Sequence, residues 1–395
     1  MTPRVPDDLD LPRASGVLVY VPHGAIPDRR GFAPSIVACE FAKRMRSVTL
    51  RLVAAAESDR AGSFVWEGLQ LERLPNRRVY KRLCKLGIRP PGVSLPRDFL
   101  AVCKKVKPRL VHVHQMEFDI AEFGRRVGWS PAVVLHAHVL SQRPHVARGI
   151  ADHYIAVSDY VKTGLASMGY PLDRIATIRN GVDTRLFKPP DPALVHFAKK
   201  RLGADPKAPI LGFIGRKHDI KGYPAFLAVA ERLLGRDAPL FVLAVGADPE
   251  RPSGERGFCA SREREARLAE GGRFLSLPAM PQSDLAELYR AIDVTLLPSL
   301  NETQGMAVIE SLAAGCVTIS ARVGGIPETI TDGVTGLLVD DPLDTDALYE
   351  KTAYVLEHLA EFASLRSAAR AYAVANLDWS VSAALLEALY QSILA

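Results

Sequence analysis

Strand-length runs of apolar residues alternate with stretches of helical periodicity along this chain, most clearly in its second half. Residues 292–297 form a short apolar run typical of a buried strand, and residues 316–320 form another. Between them, apolar residues recur at helical spacing up to Gly315, a natural helix stop. The pattern predicts a strand–loop–helix–strand unit. Glu302 then lies in the loop at the carboxyl end of a strand, where open α/β sheets hold ligands and where helix N–H groups favour phosphate.

The same alternation predicts that the whole chain is built from such units. Strands are predicted at residues 16–21, 110–114, 132–138, 151–158, 175–178, 210–214 and 241–245. Helices are predicted at residues 35–45, 159–168, 223–234 and 365–394, the last interrupted at Trp379. A Pro- and Lys-rich stretch at 185–207 is the predicted interdomain linker. With 395 residues, the chain is long enough for two domains with separate cores.

Two glutamates mark the predicted helix after the loop. Glu302 precedes the helix and Glu310 lies on it. Because helical side chains lean toward the N-terminus, both carboxylates can face one ligand at the helix mouth. Carboxylates accept hydrogen bonds from the vicinal hydroxyls of a sugar or a ribose. Two glutamates alone are more often a helix cap and a solvated side chain, so the pair does not by itself establish a site.

Two cations flank the loop that follows the predicted strand at 210–214. Arg216 offers a planar fork of donors and Lys221 a mobile point charge, and together they suit a diphosphate. On their own, cations beside a turn are usually surface residues. Asp344 and Asp346 form a D-x-D pattern, but its late position favours a helix cap over a metal site.

The order of these motifs resembles a known family. Glu302 and Glu310 enclose seven residues and are followed by Ala-Gly, a strand, Gly-Gly-Ile-Pro-Glu and Asp-Gly-Val-Thr-Gly. This order resembles the donor-sugar signature of family 4 glycosyltransferases, and the Gly-Arg-x4-Lys-Gly loop resembles the family's diphosphate-binding loop. The resemblance implies an α/β protein of the GT-B fold, with two facing Rossmann-like domains, parallel sheets and a C-terminal helix that crosses back to the N-terminal domain.

The resemblance also implies a division of labour between the domains. Residues 1–190, joined by residues 380–395, would bind the acceptor, and residues 191–379 would bind the nucleotide sugar. The implied reaction is a retaining transfer from a UDP- or GDP-sugar to a glycan or lipid-linked acceptor. It implies no cofactor and no metal.

Individual site residues follow from the same resemblance. His138, with His136 as the alternative, and Glu302 are the implied catalytic residues. The implied donor-binding residues are Gly31, Arg216, Lys221, Met280, Glu302, Thr303, Gln304, Gly305, Met306 and Glu310. The family usually has Gly-Phe-Gly after the first glutamate, whereas this chain has Thr-Gln-Gly, so Gln304 is expected to change the contacts to the sugar.

Four histidines lie in two of the predicted strands. The runs at 110–114 and 132–138 each end in His-x-His, and alternation along a strand puts each pair on one face. The histidines suggest a metal, but no carboxylate or cysteine cluster completes a ligand set. Buried parallel strands whose last residues reach the ligand crevice are the preferred interpretation, and no metal site is predicted.

Residues 76–109 are strongly basic. They contain eleven Lys and Arg residues and one acid, Asp98, with apolar residues interleaved. Such a segment can lie on an anionic membrane surface, and a solvated helical face is an equal alternative. No recognition motif for nucleic acid accompanies the charge, so nucleic acid is not a predicted partner.

Composition limits the remaining classes of protein. A net charge of +6 is moderate, and five scattered cysteines without a CxxC motif favour a reducing compartment over a disulfide or zinc scaffold. Residues 1–15 lack the apolar core of a secretory signal. We therefore expect a cytoplasmic protein. The family resemblance, together with the basic segment, implies a place at the inner face of the membrane in cell-envelope glycolipid or polysaccharide assembly. A sugar-nucleotide epimerase and a non-catalytic anionic-surface binding protein remain alternatives, while a glycosidase would not need the cations of the 215–222 loop.

Overall fold

The structure, a computed structural model, describes residues 16–22, 26, 33–55, 62–74, 97–115, 120–140, 151–248 and 256–395. The chain divides into two compact units. The first consists mainly of residues up to Arg179 together with Ser382–Ala395, and the second mainly of Asn180–Val381. Across the described ranges, no helix combines the length and the apolar character needed to cross a membrane.

An eight-stranded sheet forms the centre of the first unit. Its strands are β1 (Gly16–Val21), β2 (Thr49–Ala55), β3 (Gly62–Trp66), β4 (Leu69–Leu74), β5 (Leu110–His114), β6 (Ala132–Ala137), β7 (His153–Ala156) and β8 (Ile175–Thr177). Their order is β3-β4-β2-β1-β5-β6-β7-β8. All neighbours are parallel except β3 and β4 at one edge. Every residue of β5 is buried, as expected for a parallel strand covered on both faces.

The second unit is built on a six-stranded sheet in which every pair is parallel. Its strands are β9 (Ile210–Ile214), β10 (Phe241–Val245), β11 (Phe274–Leu277), β12 (Val294–Leu297), β13 (Val317–Ala321) and β14 (Leu337–Val339). The order is β11-β10-β9-β12-β13-β14. Both sheets are therefore Rossmann-like, and the predicted α/β class with parallel sheets is confirmed.

Helices connect the strands in both units. In chain order they are α1 (Ala33–Arg44), α2 (Arg97–Val106), α3 (Ile120–Val127), α4 (Asp159–Ser167), α5 (Pro192–Arg201), α6 (Tyr223–Leu234), α7 (Arg256–Glu270), α8 (Gln282–Tyr289), α9 (Met306–Ala314), α10 (Thr345–Glu357), α11 (Ala363–Asn376) and α12 (Trp379–Leu394). In the second unit, α9 and α11 contribute to one core, with Ile309 and Ala369 as members. Helices α6 and α10 contribute to another, with Phe226 and Leu348 as members.

The unit β12–α9–β13 matches the strand–loop–helix–strand prediction. Gly315 ends the helix in the left-handed conformation at φ 73°, as a helix stop of this kind requires. Polar side chains tie the three elements together inside the core. The buried Ser311 hydroxyl lies 2.6 Å from that of Thr295 on β12 and 2.7 Å from that of Thr318 on β13. These pairs satisfy hydroxyls that would otherwise be costly to bury.

The junction between the units lies in a turn that packs with the second unit. Val182 forms a bridge with Asp378, and both Val182 and Phe187 are members of a core cluster of the second sheet. The division therefore falls after Arg179, ahead of the predicted limit at 190. Part of the predicted linker at 185–207 is helical, because the Asp191 side chain caps α5 by accepting from the Ala193 N–H.

The last helix returns to the first unit, as the fold resemblance implies. After a break at Leu377 and Asp378, α12 begins at Trp379, so the predicted interruption of the tail is confirmed. Further along, the Glu387 carboxylate accepts from the Arg46 N–H at 3.0 Å. The hydroxyl of the fully buried Tyr390 lies 2.5 Å from Nδ1 of His112 on β5.

Candidate functional site

The strand order of the second sheet reverses at β9, which has β10 on one side and β12 on the other. In open α/β sheets, ligands bind outside the carboxyl ends of the strands at such a switch point. The loops that leave β9 and β12 span residues 215–222 and 298–305. They carry most of the residues predicted to bind the donor, so the topology marks the same edge as the sequence motifs.

The two loops are joined through their backbones. The Leu300 N–H donates to the carbonyl of Ile220 at 2.9 Å. Gly222 adopts φ +70°, and a Cβ atom there would lie 1.8 Å from the carbonyl oxygen of Pro298. Only glycine fits both the conformation and the space. The close approach fixes the distance between the loop that carries Lys221 and the loop that carries Glu302.

Neighbouring loops extend this edge in both directions. On one side, the Gly325 N–H donates to the carbonyl of Glu302 at 3.0 Å. On the other, a Cβ atom at Gly246 would lie 1.6 Å from the carbonyl oxygen of Gly215. The loops after four successive strands, β10, β9, β12 and β13, are thus packed backbone to backbone, which gives a rigid floor for a ligand.

Lys221 and Glu302 form an ion pair at this floor. Both side chains are partly buried, with 23% and 15% of their surface exposed. Arg216, the other predicted phosphate-binding cation, is exposed at the start of the same loop. The edge therefore presents a cation and a carboxylate in direct contact, with a second cation in solvent.

Helix α9 begins directly after the Glu302 loop. Its N-cap is Gly305 at φ 88°, and no side chain caps the helix. The first N–H groups of a helix have no partners within it, and they carry the positive end of the helix dipole. Thr303 and Met306 are half-buried on either side of this cap. An uncapped helix N-terminus beside Lys221 is a favourable environment for phosphate.

Gln304 has a different role from the one expected. Its side chain is 2% exposed and is directed at the backbone of Asn180. The Asn180 N–H donates to Gln304 Oε1 at 2.7 Å, and Gln304 Nε2 donates to the Asn180 carbonyl at 2.8 Å. We correct the expectation that Gln304 changes the contacts to a sugar: both polar atoms of its amide tie the loop to the junction turn.

Glu310 is buried beneath the same helix. Gln282 Nε2 donates to one carboxyl oxygen at 2.8 Å, and the Tyr289 hydroxyl donates to the other at 3.4 Å. Burial raises the pKa of Glu310 to about 7, although the two hydrogen bonds act in the opposite direction. Burial, together with the neighbouring carboxyl group, also raises the pKa of Tyr289. Glu310 is therefore a buried carboxyl group whose pKa lies near neutral pH, and it is not a solvated surface residue.

Met280 lies in the turn before α8. It is partly buried and packs against the core of the second unit. Pro281 follows it as the N-cap of the helix. Its assignment as the residue beside the nucleobase stays a prediction.

The four histidines of the two His-x-His runs lie together at the carboxyl ends of β5 and β6. Register pairs His114 with His136. The rings are nearly parallel, with centroids 4.6 Å apart for His112 and His114 and 4.4 Å apart for His136 and His138. His114 Nδ1 and His138 Nε2 are 2.8 Å apart. The prediction that each His-x-His pair lies on one face is confirmed.

Burial keeps these four imidazoles neutral. It lowers the pKa of His112 to about 3, with a smaller contribution from His138, and lowers the pKa of His138 to about 3. The pKa values of His114 and His136 are also well below the usual value, because of burial first and the neighbouring rings second. A neutral His138 can donate a hydrogen bond through one nitrogen but carries no charge.

Some predicted features lie outside the described residues. These are Gly31 and residues 76–96 of the basic segment. The rest of that segment includes α2, where Phe99 and Cys103 are buried while Lys104 and Lys105 are exposed. The described end is therefore an amphipathic helix with a basic outer face.

Sequence reasoning missed the residues that support the site. Gln282 and Tyr289 hold Glu310, and Asn180 holds Gln304. Nothing along the chain indicates that the backbone of Asn180 meets the side chain of Gln304, 124 residues away. Gln282 lies two residues after Met280, which the resemblance implies in donor binding, so its place near the site could have been inferred from the sequence.

Comparison with protein families covers most of the chain. The family described as Glycosyl transferases group 1 matches residues 196–372, and the family described as Glycosyltransferase Family 4 matches residues 18–186. Among curated relatives, D-inositol 3-phosphate glycosyltransferase of Segniliparus rotundus is 32% identical over 192 residues, which are 48% of this chain and 41% of that protein. The chain spans about half the length of most of the curated relatives that it matches.

Solved structures share the fold. Sucrose-phosphate synthase from Thermosynechococcus elongatus has a TM-score of 0.76 at 20% identity, over 96% of this chain and 99% of that one. Anabaena HepE in complex with UDP and glucose has a TM-score of 0.75 at 18% identity, over 96% and 100%. Two sheets of Rossmann type, a returning C-terminal helix and consecutive matches to both family descriptions lead to one conclusion: the chain belongs to the family 4, group 1 glycosyltransferases of the GT-B fold.

Proposed function

We propose that this protein is a retaining glycosyltransferase that moves a sugar from a nucleotide-sugar donor to an acceptor hydroxyl. The observation that carries the proposal is the placement of Lys221 and Glu302 in direct contact, on two joined loops beside the uncapped N-terminus of α9. A diphosphate requires the cation and the helix N-terminus, and sugar hydroxyls require the carboxylate. One nucleotide sugar carries both groups.

When the donor binds, the ion pair between Lys221 and Glu302 would break and each residue would contact the donor instead. Lys221 would bind the diphosphate together with Arg216, and Glu302 would accept hydrogen bonds from the sugar. Glu310, which Gln282 and Tyr289 hold in place, would accept hydrogen bonds from the ribose hydroxyls. UDP is the first nucleotide to test, because a structural neighbour was solved with UDP and glucose. This assignment needs no metal for the transfer, since protein cations meet the phosphate charge.

The same placement argues for a front-face reaction. Retention by double displacement needs a carboxylate on the face of the sugar opposite the leaving group. Glu302 instead lies beside the uncapped N-terminus of α9. With the diphosphate bound there, its carboxylate would be on the leaving-group side of the sugar. The leaving diphosphate, stabilised by Lys221, Arg216 and the helix N-terminus, would take the acceptor's proton. His138 would donate a hydrogen bond that orients the sugar.

A panel of sugar nucleotides, assayed for release of nucleoside diphosphate, tests the proposed activity. Inositol 3-phosphate belongs in the acceptor panel because a relative's name includes it. Release that needs an acceptor supports transfer, whereas isomerised donor without release supports the epimerase alternative. A protein that binds no sugar nucleotide and processes none contradicts the proposal.

Intact-mass spectrometry tests the reaction mechanism. The protein is incubated with donor and without acceptor, and its mass is compared with that of Glu302→Gln treated in the same way. A front-face reaction predicts no glycosyl adduct on either protein. It also predicts reduced but measurable turnover of Glu302→Gln with unchanged stereochemistry at the anomeric carbon, followed by NMR. A glycosyl adduct on Glu302 would refute this mechanism.

We further propose that the basic segment 76–109 brings the enzyme to an anionic membrane, where a lipid-linked acceptor would be found. The support from the described residues is the exposed basic face of α2, with Lys104 and Lys105. Each basic residue near an anionic surface contributes about 1 kcal/mol at physiological salt. Flotation with anionic vesicles should fall with salt. Neutralisation of four basic residues should abolish it: Arg77, Arg78, Lys81 and Arg82. Flotation indifferent to both would assign the segment to a solvated face.

A further inference from the structure

Three buried imidazoles of the first unit have ring nitrogens that converge. His112 and His114 come from β5 and His136 from β6, and one nitrogen of each lies within 4.8 Å of the others. Within the part of the chain that is described, Nε2 of His112, Nε2 of His114 and both ring nitrogens of His136 have no hydrogen-bond partner. Buried polar atoms without partners are uncommon, and a bound ion is one of the few physical reasons for them.

The opposite nitrogens of two of these rings are held by neighbours. His112 Nδ1 lies 2.5 Å from the Tyr390 hydroxyl, and His114 Nδ1 lies 2.8 Å from His138 Nε2. Metal-bound imidazoles usually donate their second N–H to an outer partner, which fixes the tautomer and the ring orientation. If each Nδ1–H donates here, the Nε2 lone pairs of His112 and His114 are left for a ligand.

We propose that His112, His114 and His136 bind a divalent transition-metal ion, with Zn²⁺ as the reference ion, and that Tyr390 and His138 orient two of the ligands. Three histidines with water or a small anion in the fourth position are an established ligand set for zinc. Imidazole ligands favour Zn²⁺, Cu²⁺ or Ni²⁺ over Mg²⁺ or Ca²⁺.

The distances define what must change when the ion binds. Zinc–nitrogen bonds of about 2.0–2.1 Å place tetrahedral ligands about 3.4 Å apart. The nitrogens here lie within 4.8 Å of one another. The rings are also nearly parallel, with interplanar angles of 16° to 31°. Each ring must therefore turn about its side-chain bonds when the ion binds, so that its lone pair points at the ion as the nitrogens draw together. The ligands already share one face of adjacent strands, so the backbone supplies most of the order that a site needs.

This ion would have a structural role in the first unit. His138 would orient one ligand through its Nε2 and would keep its Nδ1–H for the hydrogen bond to the sugar proposed above. Its ligands come from two adjacent strands, and one outer partner comes from α12, which returns from the other end of the chain. Metal binding would therefore join β5, β6 and α12. The competing interpretation is a set of packed neutral rings that binds no metal.

Cobalt titration distinguishes these interpretations directly. The protein is stripped with a chelator and titrated with Co²⁺, whose absorption reports coordination geometry, and then with Zn²⁺. We expect one ion per chain, with tetrahedral cobalt absorption that Zn²⁺ displaces. His136→Leu should abolish binding, while His153→Asn, on the neighbouring strand outside the cluster, should leave it intact. Tyr390→Phe should keep one ion but weaken affinity by about 10- to 100-fold.

Thermal melting gives an independent test, because it shows whether His136→Leu is folded and so separates a loss of metal binding from a failure to fold. His136→Leu removes two unpartnered buried nitrogens, so with chelator the variant should melt at or above the wild-type temperature. Added Zn²⁺ should raise the wild-type melting temperature and leave that of His136→Leu unchanged. The proposal is overturned if the wild type melts at the same temperature with Zn²⁺ and with chelator, or if cobalt binds His136→Leu as it binds the wild type.

Discussion

At the residue scale, Glu310 is a buried carboxyl group in the second unit, and it accepts hydrogen bonds from Gln282 and Tyr289. Burial favours its protonated form and raises its pKa to about 7. The group therefore changes charge in the physiological range while it is inside the fold. The consequence is a pH dependence of stability whose sign is opposite to that of an ordinary paired carboxylate.

Below pH 4.5 the carboxyl group of Glu310 is protonated in the folded and unfolded chains alike. As the pH rises from there to about 7, only the unfolded chain releases its proton, so stability falls across this window by about 3 kcal/mol. Glu310→Gln keeps the shape and stays neutral, so it should gain melting temperature relative to the wild type between pH 5 and pH 8. Glu287→Gln is the control, because Glu287 lies on α8 and its side chain is exposed. A difference between variant and wild type that does not change with pH contradicts this assignment.

Gln304 gives a second residue-scale prediction. Its amide satisfies both the N–H and the carbonyl of Asn180 in a buried position. Gln304→Ala should reduce the free energy of unfolding of the second unit by about 1–3 kcal/mol, because both backbone groups lose their partner. Asn301→Ala, in the same loop but exposed, should have little effect. Denaturant unfolding of the two variants makes the comparison, and equal stability of both would show that the Asn180 contact is not required.

At the element scale, the site depends on two loops held at contact by a glycine. Gly222 combines φ +70° with a carbonyl oxygen where its Cβ would be. The ion pair between Lys221 and Glu302 relies on this approach, because each residue is adjacent or close to the contact. The geometry of the site is therefore set by backbone packing and not by the side chains alone.

Gly222→Ala tests this dependence, with Gly203→Ala as a matched control. Both glycines have positive φ, +70° and +79°, but nothing lies within 4 Å of a Cβ at Gly203. The control therefore carries the conformational strain without the clash. Sugar-nucleotide affinity should fall at least tenfold in Gly222→Ala and remain near the wild-type value in Gly203→Ala. The same loss in both variants would mean that strain, and not the approach of the loops, explains the effect.

The elements were predictable from local pattern, and their contacts were not. The β12–α9–β13 unit follows from two apolar runs, a helical spacing and the stop at Gly315, all of which are local signals. By contrast, the pairing of Gln304 with Asn180 joins residues far apart in sequence, and Gln304 was assigned to the sugar because only the neighbouring motif was available. The helix at Pro192–Arg201 was missed because its Lys and Pro content is typical of a linker, although Asp191 followed by Pro is a start signal.

At the scale of the whole molecule, the chain returns to its first unit through α12. Leu386 and Tyr390 are buried, and the Glu387 carboxylate accepts hydrogen bonds from the Arg46 and Ser47 backbone. Removal of residues 382–395 should reduce hydrogen-exchange protection in β5 and β6 and leave β9 and β12 protected. Glu387→Gln is the milder companion variant. Unchanged protection of β5 in the truncated chain would contradict the role of this helix.

The central claim is that the second unit binds the diphosphate of a nucleotide sugar through Lys221. Calorimetry with UDP, GDP and the matching nucleosides, on wild type, Lys221→Ala and the exposed control Lys207→Ala, tests it most directly. A charge-assisted contact is worth about 1.5–3 kcal/mol, so Lys221→Ala should lose about 10- to 150-fold in affinity for the diphosphate while its affinity for the nucleoside stays the same. Equal losses for diphosphate and nucleoside, or no loss for either, would contradict the account.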